Sequence, residues 1–577
     1  MARVYALAIP FISWIMACAS SPRLFALQPP VSIDTDLRSV TVPCRSAPTD
    51  TDPRHVRCAP EVYFTPDIWD VSDNLVFRPI AEVWTFRAPS EAANANSLDE
   101  VADSAWFTNR IGIRPMPVEE LSRGGCNPDD FIHPESDPDG SWVIDQGKAN
   151  GSSLGFRVSI RGRKYLFKAD TDTPERPTAA SVIGAAMYHA VGFNTPCEQI
   201  VYFRPALLSL KPGLKYKGNI GGEHDFDRAA LDHVLSVATP RDGLVRFNAS
   251  QWLPGTLLGP FRYVGTRDDD PNDVIAHEDR RELRGGRVLA SWIDHTDARE
   301  RNSMDVWSSD RPQDPDSSPG HVVHYYLDTS DCFGPAWPWD QLTRRLGYSY
   351  VFDWGDFGRD FVTLGIPLRP WDRVELVPGY ENFNYFDVAN FVPDEWKNEY
   401  PNPAFGRMTE RDAAWMARIL VRLTPQMVHG LAEMGRLSHQ DQTEYLASVL
   451  EGRLEKILER YLLRLSPMAE LHISGDELCA TDLAELRALQ PAERFHYTAR
   501  NVGGGWLQVR REPEGRVCVA LAPVRSPSAY LRIAINDGVA RGALIAHLND
   551  LGPQRGLTLV GLERPEEGEG SPFASPP

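Results

Sequence analysis

Beyond residue 20 the 577-residue chain has no run of about 18 apolar residues, so no later segment is long enough to cross a bilayer as a helix. It has no CxxC pair and no Cys/His grouping with zinc-ligand spacing, which argues against a structural zinc. It has no G-x-S-x-G elbow, so acyl transfer is not indicated, and no internal repeat appears. Basic charge is in deficit, with 60 Lys and Arg against 79 Asp and Glu and a net charge of −19. Nothing in that balance draws the chain to a phosphate backbone, and nucleic acid is not expected as a partner.

What is present is ample for several cores: 42% of residues are hydrophobic and 24% charged, the texture of a folded body of two to four domains. At the start, the apolar run Val4 to Ala17 follows Arg3 and ends in small residues, as a signal peptide over 1–19 would. Ala17-Cys18-Ala19 fits ordinary signal cleavage, whereas Ile15-Met16-Ala17-Cys18 resembles a bacterial lipobox that would leave a lipid on Cys18. Three readings stay open: membrane anchoring through Cys18, plain secretion, and a buried apolar N-terminus. The first two place the mature chain in an oxidising compartment, the bacterial cell envelope or the exterior. Without Cys18, seven cysteines remain and cannot all pair within the chain. Cys44 with Cys58, and Cys479 with Cys518, are candidate bridges, with buried free thiols as the alternative.

Residues 20–60 are rich in Pro, Ser, Thr and Asp and read as a linker; 61–144 lack sustained periodicity and read as a loop-rich extension. From 155 the pattern predicts a hairpin, Phe156–Ile160 and Tyr165–Lys168, a packed helix over 178–191, and a strand over 198–203. A helix over 281–293 leads into Asp294-His295-Thr296-Asp297, and three further helices are expected at 409–424, 426–435 and 440–465. Residues 466–565 read as a small β-rich domain, and 566–577 as a disordered tail.

The chemistry-bearing pattern is His295-Thr296-Asp297-Ala298-Arg299-Glu300-Arg301-Asn302, an H-x-D-x-x-x-x-N. Such spacing sets an Asp to take a proton from an attacking hydroxyl and an Asn to hold a magnesium ion on phosphates. Downstream, Tyr325-Tyr326-Leu327-Asp328 ends an apolar strand in an acid. Upstream, Gly151-Ser152-Ser153-Leu154-Gly155 precedes the hairpin that ends in Lys168. His295 is read as a structural hydrogen-bonding residue, His321 with His324 as a weak metal signal, and the Asp-rich segment 267–273 as a solvated loop rather than a calcium site.

On these residues, 145–465 resemble the kinase-like fold of the HipA, CotH and phosphoinositide-kinase type, with an N-lobe at 145–205 and a C-lobe at 206–465. Ser104 to Arg110, Lys168 to Pro196, Pro260 to Asp305 and Glu395 to Phe405 resemble more closely a family of uncharacterised bacterial envelope lipoproteins. The expected fold class is thus α+β: a two-lobed kinase-like core with a loop-rich N-terminal extension and a small C-terminal β-rich domain. The resemblance implies that Lys168 binds phosphate with Gly151 and Gly155, that Asp297 is the catalytic base, and that Asn302 and Asp328 hold Mg²⁺ with ATP. The helix at 178–191 has no acid to pair with Lys168; Ser181 stands near the expected place, and Glu175, just before the helix, is a substitute. Two function classes follow. One is Mg-dependent phosphoryl or nucleotidyl transfer to an envelope protein or glycan; the other is a noncatalytic, pseudokinase-like envelope scaffold, since the periplasm maintains no ATP.

Overall fold

The computed structural model describes residues 36–46, 56–84, 90–148, 153–171, 173–218, 222–521 and 529–566. The expected signal at 1–19, Cys18, Gly151 and the tail from 567 lie outside the described residues. Within them the fold is α+β, with helices and several separate sheets.

The described part of the expected linker packs on the body. Asp36 accepts a hydrogen bond from Arg280 at 2.6 Å, Val40 pairs with Gly320, and Cys44 is bonded to Cys58. The extension at 61–144 is less loop-rich than its sequence suggests: α1 (Asp67–Ser72) runs through a π turn at Asp73–Phe77 into α2 (Arg78–Trp84). The wider turn rotates one helix face against the next, which erases the 3.6-residue apolar repeat.

The alternating segments build most of a seven-stranded sheet, whose outermost member is the two-residue strand Pro240–Arg241. β1 (Trp142–Lys148), β2 (Gly155–Ile160) and β3 (Arg163–Lys168) run antiparallel. After α3 (Arg176–Val191) come β4 (Glu198–Phe203) and β5 (Leu208–Leu210), the latter parallel to β1. A hairpin of β6 (Lys215–Lys217) and β7 (Glu223–Asp225) and the helix α4 (Arg228–Val237) follow, and β8 (Leu244–Gln251) then pairs with both β3 and β4. The sheet therefore does not end at 205, where the expected lobe boundary falls. Phe156, Val158, Phe167 and Phe247 face a core closed by Leu231 and Val234 of α4. Because side chains alternate, Arg157, Leu166, Lys168 and Asn248 lie on the other face.

β9 (Thr256–Gly259), β10 (Ser303–Ser309) and β11 (Gly320–Tyr326) form a three-stranded sheet around α5 (Arg281–Ile293). Beyond α6 (Trp354–Thr363), the helices α7 (Glu410–Leu420), α8 (Pro425–Met434) and α9 (Gln440–Ile457) complete the helical body. Leu283, Leu289, Trp292, Trp415, Leu450 and Leu454 share its core. Residues 468–563 carry two antiparallel sheets, of four and five strands. Cys479 is bonded to Cys518 there, and Cys126 to Cys197 near the first sheet, a pair with no sequence signal; Cys332 is a buried free thiol.

The 267–273 segment is only partly solvated, with Asp268 and Pro271 exposed. Asp270, Asn272 and Asp273 are buried, with Asp273 on His277 at 2.6 Å and Asn272 donating to the carbonyl of Arg38 at 2.6 Å. His324 is also structural: its Nδ1 lies 2.6 Å from Asp305 and its ring stacks on Trp106, while His321, three residues earlier on β11, is on the opposite face.

Four arginines meet around Asp99 and the first turn of α5. Arg281 lies 2.5 Å from Asp99, while Arg418 and Arg564 each donate to it at 2.9 Å. Burial works to raise the Asp99 pKa, yet Arg281, Arg418 and Arg564 together hold it well below the usual carboxylate range. Arg281 and Arg284 further reach Asp412 of α7 at 3.3 and 3.6 Å. Removing one member of a buried ionic group leaves the others uncompensated, so Asp99→Ala is expected to cost about 3–5 kcal/mol. Urea unfolding followed by circular dichroism checks this; a loss under about 1 kcal/mol would mean that the arginines find other partners.

Candidate functional site

α5 ends because Asp294 adopts a left-handed backbone, φ 57°, and Trp396 Nε1 donates to its Oδ1 at 2.9 Å. The chain then runs as an irregular loop to Asn302 and enters β10. Asn302 Nδ2 donates to the Asp297 carbonyl at 2.9 Å and to its Oδ2 at 2.8 Å, closing the loop on itself. Arg299 pairs with Asp297 through Nε and Oδ1. The Asp297 amide donates to Asp331 Oδ2 at 2.7 Å, and the Glu399 amide donates to the Thr296 carbonyl at 2.8 Å. Two acids absent from the sequence motif thus flank Asp297.

Asp328 follows β11 in a left-handed conformation, φ 45°. Lys168, at the end of β3, reaches its Oδ2 at 2.8 Å, and Ser330 Oγ donates to Oδ1 at 2.7 Å. The next residue, Thr329, donates to the carbonyl of Ser181 in α3 at 3.0 Å. A Cβ at Gly184 would lie 2.7 Å from Thr329 Cβ, so the bare glycine permits this approach. Lys168, Asp328 and the Asp297–Asn302 pair, drawn from three separate segments, converge on one cleft.

The remaining expectations fare differently. Gly155 is the first residue of β2, where a Cβ would collide with the Phe167 carbonyl; its immediate role is strand pairing. Glu175 does not serve Lys168, because its carboxylate accepts from Ser438 N at 2.7 Å and Ser438 Oγ at 2.6 Å. The acid near Lys168 is Glu198 of β4, to which Asn248 donates at 2.7 Å. His295 is fully buried, with Nδ1 2.8 Å from the Tyr188 hydroxyl, and burial lowers its pKa to about 4, so it is neutral and structural.

The electrostatics are uneven. The side chains of Asp297, Asp328 and Asp331 keep 23, 36 and 21% of their surface exposed, at the bottom of a cleft deep within the protein. Burial opposes ionisation of Asp328, but Lys168 overcomes it and holds the carboxyl well below its ordinary range. Burial, against Arg299 and Asn302, raises Asp297; burial with Asp297 and Glu399 raises Asp331 well above its ordinary value. Glu399, to which Trp337 donates at 3.0 Å, is pushed up to about 8 by burial and by Asp297. Burial likewise lifts Glu198 to about 7 and, with Lys168 beside it, lowers Lys148 to about 8.

A cavity of about 750 Å³ opens on the Lys168 face of the sheet, lined by Gln146, Lys148, Arg157, Leu166, Tyr216 and Trp252. Arg157 stacks on Trp252 at 5.0 Å. Lys148 belongs both to this wall and to the electrostatic surroundings of Lys168 and Asp328. Comparison with protein-family models, curated proteins and solved structures finds no match to the chain.

Glu399 carries its extra proton in the folded chain between about pH 4.5, where it titrates when unfolded, and about pH 8. Stability from this group is therefore expected to fall as pH rises through that window. Glu399→Gln should flatten the decline, read as the difference in melting temperature between the two proteins from pH 5 to 8.5. Parallel profiles would remove Glu399 from the acid cluster.

Proposed function

We propose that the chain is an exported bacterial envelope protein, tethered to a membrane by a lipid on Cys18, whose two-lobed kinase-like core binds a phosphate-bearing ligand with Mg²⁺. The single observation that carries this reading is the meeting of Lys168 with Asp328 at 2.8 Å, beside Asp297 with Asn302 at 2.8 Å. Three disulfides among the described residues support an oxidising location.

The residues suit a divalent cation. Asp297, Asp328, Asp331 and Glu399 gather four carboxyl groups around Lys168, Lys148 and Arg299, and the Oδ1 atom of Asp331 accepts no hydrogen bond among the described residues. Asp328 and Asn302 would hold Mg²⁺, with Asp331 able to contribute its Oδ1. When bound, the ion supplies charge neutralisation on the phosphate oxygens. Lys168 would move from Asp328 onto a phosphate oxygen, with Lys148 next to it at the cavity wall. Asp297 carries a raised pKa and is thereby a better base than an ordinary carboxylate. It would take the proton of an acceptor hydroxyl as that oxygen bonds to phosphorus and the bond to the leaving phosphate oxygen breaks with its electron pair. ATP is the first donor to test; an envelope protein or glycan is the acceptor class.

The second reading, a noncatalytic scaffold, is favoured by the closure of Lys168 on Asp328 and of Asn302 on Asp297, which leaves those groups already satisfied.

Thermal unfolding with ATP and Mg²⁺ tests the first reading: a ligand at 100 times its dissociation constant adds about 2.7 kcal/mol. We expect such a shift in the native protein and none in Lys168→Ala or Asp328→Ala. Binding that survives both substitutions would place the ligand elsewhere, and no shift with any nucleotide would favour the scaffold.

A further inference from the structure

α6 buries none of its residues, although its ten-residue sequence is amphipathic. Phe361 is 77% exposed, Val362 80%, and beyond the helix Leu364 and Ile366 are 84% and 80% exposed. Isolated helices this short are marginal in water, and stability normally comes from packing an apolar face. Among the described residues that face has no partner. Trp354 and Phe357 extend the patch and are more than half exposed. The charges around it are closed on one another: Lys397 with Asp353 at 2.6 Å, Arg359 with Asp356 at 3.1 Å, Arg344 with Asp340 at 2.8 Å, and Arg369 with Asp360.

We infer that α6 and the following loop, residues 354–368, dock into the interfacial layer of a lipid bilayer. Three observations select lipid over a protein partner. The apolar side chains stand out almost fully from the surface, as a fluid acyl layer accommodates without matching pockets. The charges of Asp353, Asp356, Asp360 and Arg369 that border the patch are already paired within the body, so they offer a polar partner little to neutralise. The chain outside the structure points the same way: the apolar run Val4–Ala17 and Cys18 precede Asp36, and the interval from Cys18 to Asp36 spans at most about 60 Å when extended. A membrane is thus within reach of the body.

The patch is coupled to the cleft. The Val351 amide, near the start of α6, donates to the Glu399 carbonyl at 2.8 Å. Asp70 of α1 lies 3.9 Å from Arg299, and α1 exposes Ile68 and Trp69. Docking would bring the Glu399 side of the cleft to the headgroup layer. The inference does not rest on phosphoryl chemistry.

The test uses the full chain with Cys18→Ser, so that no lipid anchor contributes, and vesicles of phosphatidylethanolamine with a minor share of phosphatidylglycerol. The protein is expected to co-sediment with the vesicles, with little loss at high salt and a blue-shifted tryptophan emission. Adding Phe361→Ser, Leu364→Ser and Ile366→Ser should weaken partitioning about tenfold or more while leaving the melting temperature unchanged, because these side chains are exposed. Since Val4–Ala17 could itself bind vesicles, the comparison between variant and parent decides. Equal partitioning of the two would overturn the inference, as would a parent that does not bind or a concentration-dependent dimer that the triple substitution dissolves.

Discussion

A single carboxylate organises the helical body. Asp99, on the N-terminal extension, is held by Arg281 of α5, Arg418 of α7 and Arg564 near the end of the described chain. Taking these groups out of water costs several kcal/mol per ion, so the cluster is a poor source of net stability. What it supplies is register, because few other arrangements of these segments leave every guanidinium with an acid. Arg280 and Arg284 add Asp36 and Asp279 to the same knot. The helix so fixed, α5, delivers the 294–302 loop from its other end. Asp297 is therefore aimed from a support to which the extension, α7 and the C-terminal segment all contribute.

That dependence explains which parts could be read from the residues. α5 spans 281–293 in structure and in sequence alike, because its apolar stripe is packed and periodic. β3 and β4 were visible for the same reason. β8 carries the same strand signal, with Val245, Phe247 and Ala249 alternating with Arg246, Asn248 and Ser250; what its sequence does not announce is that the polar face is turned inward, where Arg246 is fully buried and donates to the carbonyls of Gly435 and Arg436. The H-x-D-x-x-x-x-N spacing carried Asp297 and Asn302, and the acid that ends an apolar strand carried Asp328. Asp331 stood only three residues beyond Asp328 but belonged to no rule, and Glu399 lay inside the Glu395–Phe405 block without a chemical signal of its own. Both reach the cleft through backbone contacts at 296–297, which only the folded chain creates.

The cleft concentrates negative charge where burial makes it expensive. The fold handles the excess in two ways. Asp328 is ionised against Lys168, while Asp331 and Glu399 retain protons beyond their ordinary range. Protonation and cation binding are thus alternatives at the same oxygens: anything that neutralises the cluster must displace those protons, and its affinity must rise with pH across the titration of Glu399. The raised pKa values mark unspent electrostatic free energy and make the cleft a functional candidate on physical grounds, independent of any resemblance.

The absence of an acid in α3 changes how Lys168 is held. With no carboxylate on the helix, nothing on α3 pulls the amine, and Glu198 supplies the second negative charge from β4. β4 pairs with β8, and β8 pairs with β3 across Asn248 and Lys168, so the amine and its strand acid belong to one hydrogen-bonded sheet. α3 instead touches the site through Thr329, which sets the backbone next to Asp328 against Ser181 and Gly184. The 2.8 Å pair between Lys168 and Asp328 thus ties the sheet to the backbone that α3 supports.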